Sequence, residues 1–407
     1  MQAIALLRSL TPAQRTAFLA AYLGWTLDAF DYFVVVFVMK DIAHDFHTTK
    51  TSVAFALLLT LACRPIGAAI FGIAGDRWGR RVPLMVSVSL YSVLELLSGF
   101  APNLTSFLIL RALFGVAMGG EWGLGASLAL ESAPRAARGL LSGILQQGYP
   151  VGYLLGAVLY RFVVPGLGWR WMFFIGVLPA LLSLFIRRHV QESPVWQKGQ
   201  SEQTPMRIVQ VIRQSAGMFF FLVLLMTAFN FMSHGTQDNY PTFLQTQRHY
   251  DPNTVSNIAI IYNIGAILGG ILVGTLSERI GRRRAIVISA LLALTVVPLW
   301  VSGTTPATLA LGAFLMQFFV QGAWGVVPAH LSELSPNQLR STFTGFAYQL
   351  GNLFASYNSV LQTSMAERNH NDYASAMKLV VSIVLIAVAV IAGAGPEARG
   401  IDYEEAR

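Results

Sequence analysis

The sequence predicts an all-α membrane protein of twelve transmembrane helices, arranged as two six-helix halves. Three observations carry this. Of 407 residues, 54% are hydrophobic and 12% charged, at a mean hydropathy of +0.56; a soluble chain carries about twice that charge. Apolar runs of about 20 residues recur along the chain, each long enough to cross a bilayer. A motif of the first half also returns in the second at a fixed distance, as internal repeats do.

The apolar runs place spans at about 17–39, 52–74, 83–101, 105–129, 140–163 and 170–188. Six more follow at about 216–240, 254–276, 285–302, 306–330, 341–363 and 375–394. Runs of this length cross lipid as helices, because a helix satisfies its own backbone groups. The first 15 residues read as a short amphipathic arm on the cytoplasmic side, with no cleavable leader. The longest polar interruption is 189–215, which contains Pro194 and Pro205. It divides the chain into a bundle over 1–188, a cytoplasmic linker over 189–215 and a second bundle over 216–407.

Charge placement gives the orientation. With both termini cytoplasmic, 19 Lys and Arg fall in inner segments and seven in outer ones. Arg64 and Arg111 fall inside spans. Cytoplasmic loops carry such an excess, so the expected location is the plasma (inner) membrane, multi-pass. The net charge of +8 therefore belongs to loops, and no nucleic acid partner is expected. The single Cys63 excludes an intramolecular disulfide framework.

The halves repeat. GIAGDRWGRR at 72–81 returns as GTLSERIGRR at 274–283, which lays Asp76 on Glu278 at an offset of 202. Trp122 falls on Trp324, and Glu131, Pro134 and Arg138 fall on Glu333, Pro336 and Arg340, at the same offset. In these loops Gly72 and Gly75 allow close helix approach. Asp76 is expected to cap the following helix or to pair with Arg80 or Arg81. Gly72, Asp76, Arg77, Gly79, Arg80 and Arg81, with Glu278, Arg279, Gly281 and Arg282, are assigned to a conformational latch. Retention of basic loops inside explains the same arginines, and the two explanations are compatible.

A second stretch, NFMSHGTQDNYPT at 230–242, begins deep inside the seventh apolar run. Asn230, Ser233, His234, Gln237 and Asp238 recur at helical spacing and share one stripe. Such a stripe at mid-bilayer is costly unless it faces a wet cavity, so it reads as half of a small-molecule site. The offset of 202 lays Asn230 on Asp28 and Ser233 on Asp31.

At this point the chain resembles the major facilitator superfamily. The doubled loop, the two six-helix halves and RALFGVAMGGEWGLG at 111–125 carry the resemblance over nearly the whole chain. Glu278 departs from the aspartate of the first copy. The resemblance implies alternating access around a cavity formed by helices 1, 4, 7 and 10, with 2, 5, 8 and 11 alongside. A narrower resemblance is to the sialate and lactate:proton symporter branch. LDAFDYFVVVFV at 27–38 looks like the first helix of its organic-acid carriers, and 230–242 matches the lactate permease pattern at Asn230, Ser233, His234, Thr236, Gln237, Asp238 and Thr242. That implies proton-coupled import of lactate or pyruvate, with uptake of sialate or an aromatic acid as the alternative.

Physical chemistry ranks the site residues. A carboxylate at the midplane needs a fixed cation, and Arg64, near mid-bilayer on helix 2, offers a bidentate grip. Pro65 and Gly67 beside it are expected to open the backbone. Tyr32, Asn230, His234, Gln237, Gln147 and Gln349 are the further substrate-binding candidates. Asp28, Asp31, Glu121, His234 and Asp238 are the proton-coupling candidates, because close acids in a low dielectric readily hold a proton. Tyr149, Gln317, Gln321, Tyr348 and Asn352 serve equally as cavity donors or interhelical bonds. Arg111 is expected to snorkel outward in a structural role, and His330 is read as structural.

No metal cluster or nucleophile–base spacing occurs, so no enzyme is expected. A receptor would bring an added soluble domain, and a drug exporter a cavity without a fixed arginine. No ATP-binding loop is present. The expected partners are a small organic anion, a proton and the bilayer, with no cofactor and a monomeric state.

Overall fold

Local chemistry sets the helix ends. In the computed structural model, residues 2–202, 211, 213–397 and 399–401 are described. After a short helix α1 (Gln2–Ser9), Thr11 opens α2 (Pro12–Asp45) with a capping box to Gln14, and Pro12 sits where a missing N–H costs nothing. Thr49 caps α3 (Lys50–Trp78) through the amide of Ser52. That helix ends at Gly79, whose φ of +96° suits glycine and strains any other residue. The first half continues with α4 (Arg81–Gly99), α5 (Leu104–Met118), α6 (Glu121–Ser132), α7 (Arg138–Gln146), α8 (Gly148–Leu167), α9 (Arg170–Ile175) and α10 (Pro179–His189).

The linker region carries a helix, α11 (Pro194–Glu202); Pro205 and Arg207 lie outside the described residues. The second half comprises α12 (Ala216–Gln237), α13 (Tyr240–Thr246), α14 (Pro252–Ile280), α15 (Arg282–Ser302), α16 (Pro306–Leu334), α17 (Arg340–Ala355), α18 (Asn358–Arg368) and α19 (Tyr373–Ala394). Gly281, at φ +99°, ends α14 as Gly79 ends α3, again 202 residues on.

Among the described residues, ten helical stretches are long and apolar enough to cross a membrane; three of them, 104–132, 135–167 and 216–246, each join two helices across a short break. The remaining two crossings are the broken pairs α9–α10 and α17–α18, which the length and apolarity of a single helix do not reveal. Several expected continuous spans are broken: 105–129 at Gly119 and Gly120, 140–163 at Gln147, 170–188 near Gly176, 216–240 at Asp238 and 341–363 at Ser356. Conversely, α3 runs unbroken through Pro65, where an opening was expected. Tight packing holds it. A Cβ on Gly67 would lie 1.8 Å from the Val116 carbonyl oxygen, and one on Gly119 would lie 2.0 Å from that of Arg64.

Exposed Leu, Ile, Val and Phe side chains, such as Ile66, Ile70, Phe220 and Ile383, ring the outside and face lipid. Inside, α8 lies on α2 through Gly148, Gly152 and Gly156; a Cβ on Gly152 would meet the Thr26 oxygen at 2.3 Å. The halves meet on each side of a pseudo-twofold axis, α3 against α17 and α7 against α14. Backbones touch there, as between Gly123 and Gly345 or Gly143 and Gly270. The core of the second half extends across this seam to Trp25 and Trp122 of the first.

A cavity between the halves and the latch beneath it

Helices of both halves converge at the centre of the molecule, and their polar and aromatic positions enclose a cavity of about 490 Å³. The α2 wall supplies Trp25, Tyr32 and Phe33, and α3 supplies Arg64. Facing them, α12 presents Asn230, Ser233, His234, Gln237 and Asp238 as one stripe. From α14 come Tyr262 and Asn263, from α16 Gln317, Gln321 and Trp324, and from α17 Tyr348 and Asn352.

Arg64 is 4% exposed and donates to Asp28 Oδ1 at 2.9 Å, with its guanidinium 5.5 Å from the centre of the Tyr32 ring. Its Nε and Asp28 Oδ2 have no partner. One face of the guanidinium is thus committed, and capacity for another carboxylate remains. The pair is a buried ion pair whose breakage is costly unless a second anion replaces Asp28.

The α12 stripe is internally wired. His234 Nδ1 lies 3.2 Å from Asp238 and its Nε2 3.2 Å from Asn352 Oδ1. Gln237 donates to Ser233 Oγ at 3.1 Å and to Gln317 Oε1 at 3.2 Å. Asn230 is 3% exposed and donates to the Met226 carbonyl. The His234 and Asp238 side chains are 28% and 36% exposed, so water reaches this end.

Aromatic rings form much of the rest. Tyr149 stacks on Trp25 with centroids 5.6 Å apart. Trp122 stacks on Tyr348 at 4.5 Å, and Trp25 and Trp324 meet the same tyrosine edge-on at 6.2 and 5.9 Å. The repeat-related tryptophans 122 and 324 thus flank Tyr348, and Trp324 and Tyr348 line the cavity.

Other candidates lie elsewhere. Gln147 sits at the α7–α8 break and donates to the Gly143 carbonyl, while Gln146 lines the cavity instead. Gln349 is 1% exposed, off the cavity wall, with both amide atoms unpartnered. Asp31 and Glu121 are fully buried behind the wall, and none of their carboxyl oxygens has a hydrogen-bond partner. Glu121 presses on Gly24, where a Cβ would meet its Oε1 at 2.2 Å. Arg111 does not snorkel: it is 1% exposed, pairs with Glu95 at 2.6 Å and lies 4.0 Å from the Phe114 ring centre. His330 is buried and its ring nitrogens have no partner.

At the end carrying the repeated loops, the halves are tied together. Asp76 accepts from the amides of Ser341 and Thr342 at 3.0 and 2.9 Å and from the Thr342 hydroxyl at 2.7 Å. It caps α17 across the seam, not α4, and stands 3.4 Å from Arg80. The cap of α4 is Glu192, which accepts from the amides of Arg80 and Arg81 at 2.9 and 3.1 Å. The second copy repeats the pattern. Glu278 accepts from the Gly139 amide across the seam, and Glu397 accepts from the amides of Arg282 and Arg283. Arg80 pairs with Glu131 at 3.0 Å and Arg282 with Glu333 at 2.9 Å. Arg340 reaches Glu131 from the other half at 3.0 Å. Gly72 lets α17 approach, since its Cβ would lie 2.8 Å from Thr342 Cα. Arg77 stacks near Trp78, Arg81 donates its backbone to Glu192, and the carbonyl of Arg279 accepts from Arg399.

Sequence reasoning did not single out Tyr262, Asn263, Gln146, Tyr153 or Glu95. Glu95 carried a usable signal: an acid within an apolar run, like those already noted.

Comparison with known proteins agrees with this architecture. The Major Facilitator Superfamily model matches residues 18–356 and 223–399. A probable 4-methylmuconolactone transporter of Cupriavidus pinatubonensis is 30% identical over 84% of this chain and 81% of its own length. The sialic acid transporter NanX of Escherichia coli is 30% identical over 84% and 85%. A carboxylic acid transporter protein homolog of Saccharomyces cerevisiae is 28% identical over 93% and 68%. Among solved structures, a double-tryptophan mutant of XylE superposes with a TM-score of 0.79 at 21% identity, covering 96% of this chain and 98% of that one. The repeated loops, the two tied halves and the cavity between them are therefore those of a transporter and not an enzyme, and the chain belongs to the Major Facilitator Superfamily.

Proposed function

We propose that this protein imports an organic monocarboxylate together with a proton, by alternating access across the inner membrane. Arg64 carries the proposal: a buried guanidinium at the cavity wall, paired with one carboxylate and able to take another. Substrate competes with Asp28 for it, and Asn230, His234, Gln237 and Tyr32 orient the bound acid. Displaced Asp28 gains a proton more readily than it stands unpaired in a low dielectric, which links anion and proton. With the loops 72–81 and 274–283 on the cytoplasmic side, the closed latch belongs to an outward-facing state, and opening it delivers the cargo inside.

Two substrate sizes fit the chemistry of the wall. The stretch 230–242 speaks for lactate or pyruvate. The volume and the rings favour a larger flat acid, because pockets of about 300–1,000 Å³ enclose drug-sized ligands and stacked rings bind planar faces. The names of the muconolactone and sialic acid transporters support the larger class. The test is uptake of radiolabelled L-lactate, benzoate and sialate into proteoliposomes under an inward proton gradient, beside Arg64→Ala. Gradient-dependent uptake abolished by Arg64→Ala is the expected result. Uptake that survives the substitution moves the anion anchor elsewhere, and uptake indifferent to the gradient overturns symport.

A further inference from the structure

The two walls of the cavity differ in chemistry. The first half supplies Arg64 and a run of rings, with Phe33 and Trp25 each against Tyr149 at 5.2 and 5.6 Å between centroids. The second half supplies amides and hydroxyls. Among the described residues, Arg64 is the one Arg or Lys on the wall and Asp238 the one carboxylate. The polar wall has a direction, and it is set one layer behind the surface. Thr236 is 1% exposed, and its hydroxyl donates to the Met232 carbonyl at 3.0 Å, with the Ser233 carbonyl at 3.1 Å. A hydroxyl carries one proton. With that proton on a carbonyl, Thr236 Oγ1 can only accept from Gln317, whose Nε2 lies 3.1 Å away. Gln317 therefore turns its oxygen toward Gln237. Gln237 must then donate, and its Nε2 lies 3.2 Å from Gln317 Oε1 and 3.1 Å from Ser233 Oγ. A side-chain amide holds its donors on nitrogen and its acceptor on oxygen. The relay from Met232 through Thr236 and Gln317 thus leaves Gln237 Oε1 as a free acceptor. Gln237 lines the cavity, and that oxygen has no hydrogen-bond partner among the described residues.

We propose that the cargo is a flat-ring monocarboxylate bearing a free hydroxyl, and that Gln237 Oε1 accepts from that hydroxyl while Arg64 holds the carboxylate. This rests on the acid-import reading above and narrows it. A planar ring covers the aromatic wall, which lactate is too small to do. A ring without a hydroxyl leaves Gln237 Oε1 unpaired once water is excluded, and a buried acceptor without a donor is unfavourable. An ether oxygen in place of the hydroxyl sets two acceptors against each other. A second carboxylate meets Gln237 Oε1 and Asp238, while His234 is already engaged by Asp238 and Asn352, so a dianion is rejected. Thr236 is a positioning residue: it is buried off the cavity wall and acts through Gln317 on the direction in which Gln237 faces.

The experiment is competition in proteoliposomes against whichever labelled acid, L-lactate, benzoate or sialate, the uptake assay accepts. The competitors are benzoate, 3- and 4-hydroxybenzoate, the methyl ethers of both, and terephthalate. One hydroxybenzoate is expected to compete about tenfold better than its own ether and than benzoate, with terephthalate the weakest. Equal potency of hydroxyl and ether in both pairs, or no competition by any ring acid, overturns the proposal. Thr236→Val removes the hydroxyl that directs the relay, so the hydroxyl-to-ether ratio should fall toward one, and Thr236→Ser should restore it. A merely structural role would lower uptake of every acid and leave that ratio alone, so an unchanged ratio in Thr236→Val overturns the relay. Should Thr236→Val fail to fold, Gln237→Leu carries the variant test: a ratio near one supports the acceptor, and a ratio equal to wild type overturns it. Absence of gradient-driven uptake of all three labelled acids refutes the transport reading itself. Uptake that shows no preference for the hydroxyl refutes this inference alone, which separates the two failures.

Discussion

Removing the Asp76 carboxylate should shift the balance between the two faces of the transporter. Its oxygens accept three hydrogen bonds from the first turn of α17, at 3.0, 2.9 and 2.7 Å, and the side chain is 1% exposed. Hydrogen bonds to a charged acceptor contribute about 1.5–3 kcal/mol each, but bonds sharing one acceptor are not additive. Neighbouring Arg80 keeps Glu131 and the Gly75 carbonyl. A net loss of about 3 kcal/mol for Asp76→Ala is therefore the working figure, a factor of about 100 in the ratio of closed to open latch. Asn263, on the cavity wall, reports that ratio once replaced by cysteine in a Cys63→Ser background. Labelling from outside by a membrane-impermeant maleimide should slow markedly in Asp76→Ala. Asp76→Asn, which keeps one acceptor oxygen, should slow it less. Glu278→Ala should have the smaller effect of the two loop substitutions, since Glu278 is 18% exposed and makes one bond across the seam. Equal outside labelling in Asp76→Ala and its parent would refute the assignment of Asp76 to the latch.

Three further outcomes follow from the geometry. Arg64→Lys keeps the charge but loses the planar fork, so KM should rise at least tenfold with the gradient dependence kept, as read by initial uptake rates. Gly79→Ala forces a non-glycine residue to φ +96° and its Cβ against Glu192 Oε2 at 2.3 Å; a strain of about 1–2 kcal/mol should lower the thermal midpoint in detergent. Asp372 caps α19, and the Ser375 hydroxyl, with the Ser375 amide and Gln247, holds its carboxyl below the usual range. A lowered folded value means the cap stabilises above the unfolded carboxylate range and fades as pH falls through the folded one. Asp372→Asn should flatten that acid limb of stability by less than 1 kcal/mol, since the group is largely exposed; an unchanged limb argues against the cap.

The repeat was the most legible feature of the sequence, because an offset of 202 survives from the Asp76–Glu278 alignment to the crossed caps on Ser341 and Gly139. The α12 stripe was legible for the same reason: one unbroken helix keeps its phase from Asn230 to Gln237. Where helices break, phase resets, and single-residue choices fail. Gln146, not Gln147, lines the cavity: α7 ends at Gln146 and α8 begins at Gly148, so Gln147 falls on the break itself. Partners from distant segments were invisible for another reason. That Glu192 caps α4 while Asp76 caps α17 depends on which helix ends the fold brings together. The aromatic lining was equally hidden, since tryptophan and tyrosine in apolar runs look alike whether they face lipid, a neighbour or a void.

The two seam ties are twins by sequence but not by strength. Asp76 is sealed from water with three donors, whereas Glu278 is reached by solvent and holds one amide. Two equal ties would have to part together, and the halves would separate along a straight path. Unequal ties give the motion an order. In the cycle proposed above, the α7–α14 side is expected to yield first and the α3–α17 side last, so the expected passage to the opposite face is a lopsided swing that waits longest on Asp76.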